Sequence, residues 1–407
     1  MPQTTAVDLA PAMPRRLRPG VFAALAVLAV AVNLRAPITS VPPLVPAMKD
    51  ELGLTGVTAG LITTLPVLCM GLLAPVGHRL GHRFGRERAV YLAVVLLLAG
   101  SLLRVAGGTG TLALVVLYSG TLLIGSGIAI SGALLPSVVK HRYPARSGLM
   151  TGTYMGGMNL SASFGALLAV PLAVALGSWR LSLVLWAIPV VIGLAMWRPV
   201  VRSAPAPVPA TRTARRALPW RHATAWLVVG YLLLQSTQFY TQAAWIPSTY
   251  EARGWSAASA GVLLTVFSAA GGVTGVILPI LTDRVRDNRL LVAPCALATV
   301  IGLGGVVFAP DAAPWAWMAL IGVGLGAGFG LGLVYLVDYS TDAGASARLT
   351  AMAFLFSYGL GSLGPVWFGA LRDATGSFTP SWTILFALAL VQLAYVVPLR
   401  PERRRVD

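Results

Sequence analysis

Apolar segments long enough to cross a lipid bilayer recur twelve times along the 407 residues, and they constrain the fold more than any other feature. The hydrocarbon core of a bilayer is about 30 Å thick, a distance that a helix of roughly 20 residues spans. Segments that cross it must be helical, because a backbone polar group without a partner is too costly in lipid. The predicted spans are 20–46, 57–77, 89–106, 111–138, 147–175, 180–197, 222–247, 257–281, 289–309, 315–338, 347–371 and 380–398.

The composition excludes a soluble globular protein. Charged residues make up 11% of the chain, whereas a soluble domain carries about 25%. Arg15, Arg16 and Arg18 precede the first apolar segment, as in a signal peptide, but that segment is too long and further spans follow it. We therefore expect an uncleaved first helix in an all-α membrane protein of twelve transmembrane helices.

Positive charge is distributed unevenly between the two predicted sides of the membrane. The formal net charge of +17 could suggest nucleic-acid binding. However, loops rich in Lys and Arg also mark the cytoplasmic side of membrane proteins. With the N-terminus inside, 24 of the 30 Lys and Arg residues fall in inside segments, and five fall in outside segments, namely Lys49, Arg104, Arg180, Arg253 and Arg372. This asymmetry predicts both termini in the cytoplasm and no nucleic-acid partner.

A stretch rich in Pro, Ala and Arg divides the chain into two halves. Residues 198–221 read RPVVRSAPAPVPATRTARRALPWR, a composition typical of an irregular linker. The halves match at a near-constant offset, as TAGLITT at 58–64 does with SAGVLLT at 259–265. We predict two pseudo-symmetric six-helix bundles, over 20–197 and 222–400, joined by a cytoplasmic linker. Parallel repeats of this kind hold a substrate site between them near mid-membrane.

Several motifs resemble those of the major facilitator superfamily and, within it, of the cyanate-permease and 2-nitroimidazole-transporter family. They are NLRAPITSVPPL at 33–44, HRFGRER at 82–88, YTQAAWIPSTYEARGWSAASAG at 240–261 and the dipeptide DR at 283–284. The resemblance covers nearly the whole chain and implies a transporter of small solutes in a bacterial plasma membrane. It also implies gating roles for Arg83, Arg86, Asp283 and Arg284. His82 departs from the family pattern, which usually has an acidic residue at this position.

Arg35 interrupts the first apolar segment, which Pro37, Pro42 and Pro43 are expected to bend. A guanidinium inside a bilayer costs several kcal/mol unless it is paired or hydrated, and arginine stays protonated. None of the 13 acidic residues falls in the middle of a predicted span. We therefore expect Arg35 to line a polar cavity and to bind an anionic or strongly polar substrate through its planar fork of donors. The alternative is a packing role, in which Arg35 donates to helix carbonyls or to polar side chains.

Glutamines on one face of the seventh segment are further candidates for substrate binding. Gln235, Gln238 and Gln242 follow Tyr231 at helical spacing, and amides that face lipid would be unfavourable. Gln235 also falls at the position of Asn33 in the repeat. Hydrogen bonding between helices explains such glutamines equally well.

Aromatic and polar residues elsewhere in the spans complete the set of candidates. Tyr240 and Trp245 follow the glutamines, where they could line a cavity or belong to an aromatic belt at the membrane interface. Tyr154, Asn159 and Tyr358 lie in segments dense in glycine and other small residues. That composition is typical of closely packed helices, so these three residues could serve either packing or substrate binding.

Motifs of other protein classes are absent from the sequence. No GxxxxGK[ST] loop occurs, and the histidines and cysteines show no metal-site spacing, so we expect no enzyme activity, cofactor or metal. We therefore predict a secondary transporter that works by alternating access. The resemblance implies a cyanate-like or nitroimidazole-like solute, and Arg35 is the expected anchor for it. The alternatives are an exporter of drugs or neutral compounds, and a membrane sensor that transports nothing. The expected partners are the substrate, the lipid bilayer, and a coupling ion or counter-substrate.

Overall fold

The computed structural model describes residues 19–108, 110–204, 217–401 and 405–406. This part of the chain contains twelve helical spans, α1 to α12, which confirms the predicted all-α fold. They are Gly20–Leu52, Gly56–Phe84, Arg86–Leu103, Gly110–Arg142, Leu149–Ala175, Trp179–Arg202, Ala223–Glu251, Ala257–Leu281, Arg289–Phe308, Pro314–Asp338, Gly344–Thr375 and Thr379–Tyr395. Nine of the described spans are long and apolar enough to cross a membrane; α3 begins with charged residues, α7 is more polar, and α12 is shorter.

The first span is broken at Arg35. Helix Pro19–Ala31 gives way to short turns before a regular helix resumes at Val45–Leu52. The backbone of Arg35, at φ −125° and ψ −46°, is not helical. Pro37 and Pro42 lack the amide hydrogen that a continuous helix requires. The predicted bend is therefore confirmed, and it leaves backbone carbonyls that side chains can reach.

The buried apolar side chains join the two halves of the chain mainly at one end, with a smaller shared cluster of Val67, Tyr240 and Tyr358 near the middle. We call the end of the bundle that carries residues 20 and 400 the termini face, and the opposite end the far face. Toward the termini face, α1–α6 and α7–α12 have separate clusters of buried apolar side chains. Toward the far face, one cluster takes side chains from both halves, among them Met48, Trp179 and Phe368. The two halves are thus packed together through the far face.

One close approach between the halves is a contact of α2 with α11, which we call the far-face seam. It consists of Gly56, Gly60, Pro365, Gly369 and Asp373. A Cβ atom on Gly60 would lie 2.5 Å from the Pro365 carbonyl oxygen. The Asp373 carboxylate accepts hydrogen bonds from the amides of Gly56 and Val57, at 2.6 and 3.3 Å. Backbone therefore packs on backbone here, and a carboxylate from one half caps the first turn of a helix in the other. The α5–α8 and α1–α7 contacts also cross between the halves.

Within the second half, α8 and α10 also pack with their backbones in contact. A Cβ on Gly326 would overlap the Gly271 carbonyl oxygen, so we expect Gly326→Ala to force these helices apart. Extra atoms in a packed core cost about 1–3 kcal/mol, and a melting temperature in detergent lowered by several degrees should report that loss. The matched control is Gly304→Ala, where the nearest atom is 3.4 Å away in the Phe386 ring. An equal loss in both variants would contradict the packing argument.

The structure describes only part of the predicted linker between the two bundles. Of the predicted linker 198–221, residues 198–202 are helical at the end of α6. Residues 205–216 lie outside the described part of the chain. Bundle boundaries at 20–197 and 222–400 remain a prediction.

Candidate functional site

A cavity of about 160 Å³ lies between the two halves, beside the break in α1. Its walls come from α1 and α5 in the first half and from α7, α8 and α10 in the second. The cavity extends from the level of Ser268 toward the termini face, where Met155, Val276 and Leu333 line it. An extension of about 60 Å³ continues from Arg35 toward α2 and α4. Both halves therefore contribute to one central space.

Arg35 supplies the charge of this cavity. Its half-buried side chain lines both the main space and the extension. Among the described residues, no carboxylate forms an ion pair with it, and no other charged side chain lines either space. The Tyr240 hydroxyl lies close enough to interact with the guanidinium electrostatically. The cavity consequently carries a positive charge that a bound anion could compensate.

Thr39 and Tyr240 complete the wall around Arg35. Thr39 lies one helical turn beyond Arg35, and its hydroxyl donates to the Ala162 carbonyl of α5 at 2.9 Å. The Tyr240 ring packs edge-on against Phe239 at 5.3 Å and against Tyr358 at 6.2 Å between ring centroids. A cationic centre thus borders aromatic surface, a combination that suits small planar ligands with polar edges.

The glutamines of α7 divide between the cavity and the interior of the second half. Gln235 lines the cavity. Its amide donates to the Leu325 carbonyl of α10, and its oxygen accepts from Gln392 of α12 at 2.6 Å. Gln238 donates to the same Gln392. Gln242 is fully buried, and its amide has no hydrogen-bond partner among the described residues. Gln238 and Gln242 therefore lie behind the cavity wall.

The remaining predicted substrate residues have different surroundings. Asn159 lines the cavity on α5, whereas Tyr154 is buried in the apolar cluster of the first half. The Asn33 amide donates to the carbonyls of Ala29 and Pro189, at 2.7 and 3.0 Å, and so joins α1 to α6. The Trp245 indole donates to a carbonyl of α11 at 2.9 Å. The structure thus brings four of the ten predicted residues to the cavity, Arg35, Asn159, Gln235 and Tyr240.

The predicted gating arginines are exposed at the termini face. Arg83, Arg86 and Arg284 all have exposed side chains, and the Arg83 guanidinium lies over the Phe84 ring at 5.2 Å. No ion pair between the two halves involves them within the described residues. The backbone of Asp283 forms a single turn after α8, and its side chain lies outside the described residues.

Other residues around the cavity and the seam had no distinct signal in the sequence. Thr39 and Phe239 line the cavity, and Asp373 caps α2, but each resembles many other residues of similar type. Arg104 differs more from expectation. It was predicted to lie in an outside segment, yet it exposes only 3% of its surface and donates to the Pro37 carbonyl at 2.9 Å. A charge at the end of an apolar run looks the same in sequence whether it points outward or inward.

Comparison with known proteins identifies relatives over almost the whole chain. The uncharacterized transporter YycB of Bacillus subtilis (strain 168) is 35% identical over 367 residues, which cover 90% of each chain. The 2-nitroimidazole transporter of Escherichia coli (strain K12) is 31% identical over 373 residues, 91% of this chain and 92% of that protein. The cyanate transport protein CynX of the same organism is 29% identical over 380 residues, 91% of this chain and 95% of that protein.

The fold and the family model agree with these relatives. A solved structure of a variant of the nucleoside transporter NupG superposes with a TM-score of 0.74 at 10% identity, covering 92% of this chain and 99% of that one. At such low identity, the match concerns the fold alone. The family model described as Major Facilitator Superfamily matches residues 21–365. With twelve spans, a cavity between its two halves and this match, the chain belongs to the Major Facilitator Superfamily, whose members are membrane transporters rather than enzymes.

Proposed function

We propose that this transporter moves a small anionic or strongly polar solute, and that Arg35 is the anchor for its negative or oxygen-rich group. The observation that carries the proposal is a guanidinium without a carboxylate partner in a cavity shared by both halves. Such a charge is costly inside a membrane protein. A substrate that brings the compensating charge recovers part of that cost, because charge-assisted hydrogen bonds are the strong ones.

The chemistry of the lining narrows the substrate class. Phe239, Tyr240 and Phe329 provide aromatic surface, and Asn159 and Gln235 provide amide groups. Cyanate fits such a site as a small linear anion, and a nitroimidazole fits it as a flat ring with a polar nitro group. The names of the two Escherichia coli relatives support the same two compounds. We therefore propose a cyanate-like or nitroimidazole-like substrate.

Alternating access is the proposed mechanism, with the termini face in the cytoplasm. The joint apolar cluster at the far face and the separate clusters toward the termini face support a conformation that is closed outward. Opening the other way would require the far-face seam to part and the cytoplasmic ends, with Arg83, Arg86, Asp283 and Arg284, to approach. The coupling partner in this scheme is an ion or a counter-substrate.

Asp373→Asn provides a graded test of the far-face closure. An amide oxygen accepts less strongly than a carboxylate, and Asn also removes the negative charge at the N-terminus of α2, which is worth about 0.3–1 kcal/mol. We therefore expect up to roughly fivefold more of the outward-open form. The measurement is labelling of a cysteine at Ser268 in the cavity by a membrane-impermeant thiol reagent added from the far face. The matched control is Asp311→Asn, because Asp311 pairs with Arg253 inside one half. Equal labelling of both variants would contradict the proposal that Asp373 helps to keep the far face closed.

Uptake into proteoliposomes tests the substrate class. We expect saturable uptake of labelled cyanate by the purified protein, and competition by other small monovalent anions and by 2-nitroimidazole. Empty liposomes are the control for passive entry. Uptake of 2-nitroimidazole without any uptake or competition by anions would replace the anion proposal with a neutral-compound transporter. If neither compound is taken up, both proposed substrates are wrong.

A further inference from the structure

Arg104 is buried in a way that calls for an explanation. It exposes 3% of its surface, and its Nη1 atom donates to the Pro37 carbonyl oxygen at 2.9 Å. Its Nε and Nη2 atoms have no hydrogen-bond partner in the part of the chain that the structure describes. No described carboxylate forms an ion pair with it either. Burying a guanidinium that has only one neutral acceptor lowers the stability of the fold. A contribution to stability therefore does not explain why Arg104 is buried.

The acceptor of Arg104 is a backbone group that the break in α1 leaves free. In a continuous helix the Pro37 carbonyl would accept from the Val41 amide. The Val41 amide instead donates to the Ile38 carbonyl at 3.3 Å, and the following residue, Pro42, has no amide hydrogen. Arg104 therefore supplies the donor that the break removed from Pro37.

The direction of the Arg104 side chain is also unusual. Arg104 directly follows Leu103, the last residue of α3, at the far face. Long cationic side chains at such helix ends usually extend toward the membrane surface. This one extends to Pro37, near the middle of α1. Gly120 of α4 makes room for it, since a Cβ there would lie 2.6 Å from the Arg104 Cβ.

We propose that Arg104 is a positioning residue, which fixes the break in α1 so that Arg35 and Thr39 face the cavity. Pro37 lies midway between these two residues in the sequence. The hydrogen bond from Thr39 to Ala162 holds one side of the break against α5, and the bond from Arg104 holds its centre against α3. The inference rests on the proposed function for the role of Arg35, yet the shape of the break can be measured without any substrate.

Hydrogen exchange in the purified protein tests the contact directly. Arg104→Met removes the charge and the donor at similar length, and Arg104→Lys keeps the charge and a donor. With Arg104→Met, we expect the backbone amides of residues 38–41 and 44 to exchange roughly 10- to 100-fold faster, the loss typical of a hydrogen bond from a charged group. Arg104→Lys should restore part of the protection. Arg253→Gln is the matched control, because Arg253 is a far-face arginine that pairs with exposed Asp311.

A double-mutant comparison separates positioning from general stability. If Arg104 acts through Arg35, Arg104→Met raises the KM for the transported anion more than it lowers kcat. In the Arg35→Gln background, Arg104→Met should then reduce transport little further, because the effects of substitutions at residues that act through one another are not additive. Additive losses would indicate that Arg104 only stabilises the fold.

The two readouts fail in different ways. Unchanged exchange at residues 38–41 and 44 in Arg104→Met, or equally faster exchange throughout α1, α3 and α4, would overturn the positioning role. Absence of anion transport by the wild type would overturn the proposed function and leave the exchange result to decide on Arg104. Should Arg104→Met fail to accumulate, Arg104→Gln, which keeps a shorter donor, replaces it in both experiments.

Discussion

Arg35→Gln is expected to reduce the transport efficiency for cyanate, kcat/KM, by roughly 10- to 150-fold, the range for losing a hydrogen bond to a charged group. Glutamine keeps a donor at this position but removes the charge that attracts the anion. Because no described carboxylate compensates Arg35, the substitution leaves no buried acid unpaired, and the fold should tolerate it. The measurement is the initial rate of uptake into proteoliposomes over a range of concentrations, with the melting temperature of the same preparation.

Two comparisons show whether the loss comes from the charge. Arg35→Lys keeps the charge without the planar fork, so its transport should fall between those of the wild type and Arg35→Gln. Uptake of 2-nitroimidazole, measured at an acidic pH that keeps it uncharged, should be affected less than uptake of cyanate. Undiminished cyanate uptake by Arg35→Gln would assign Arg35 to packing instead.

Gly60→Leu is expected to prevent closure of the far-face seam and so to stop transport. A Cβ at Gly60 would lie 2.5 Å from the Pro365 carbonyl oxygen and 2.8 Å from the Pro365 carbonyl carbon, and this backbone cannot rotate away as a side chain can. Overpacking of about 3 kcal/mol would favour the outward-open form by roughly 100-fold. The readout is the loss of uptake, together with far-face labelling of a cysteine at Ser268.

The matched control for this substitution is Gly152→Leu. Gly152 is an exposed glycine of α5, and no atom lies within 4 Å of a Cβ built there. It should retain transport and leave the cavity cysteine protected from the far face. If Gly60→Leu transports as well as the wild type, the α2–α11 contact does not need to remain this close during the cycle.

Much of the helical architecture could be predicted from sequence because its signals are local. Runs of apolar residues identify all twelve spans, and Pro37 and Pro42 identify the break in α1. Boundaries are less accurate where helices extend past the predicted apolar segment, as α2 does to Phe84. Helix formation depends on neighbours within a few residues, and nothing in such a window indicates where lipid ends and water begins.

The candidate site was only partly predictable. Arg35 can be identified from the sequence because a charge among apolar residues is rare. Helical spacing, however, does not show which of the α7 glutamines line the cavity. Gln235 lines the cavity and Gln238 does not. Both bond to Gln392, which lies more than a hundred residues along the chain, so no local sequence window indicates their surroundings. Tyr154 likewise packs in a core that α1, α3, α4 and α6 build around it.

The sequence by itself determined the number of spans, the break in α1 and the charge of Arg35 among apolar residues, because hydropathy, proline and ionisation are properties of each residue and its near neighbours. Only the tertiary structure decided that Arg104 turns inward to Pro37, that Asp373 caps a helix of the other half, and which polar groups share the cavity with Arg35. Each of these contacts joins residues far apart in the chain, and their meeting depends on how whole helices pack.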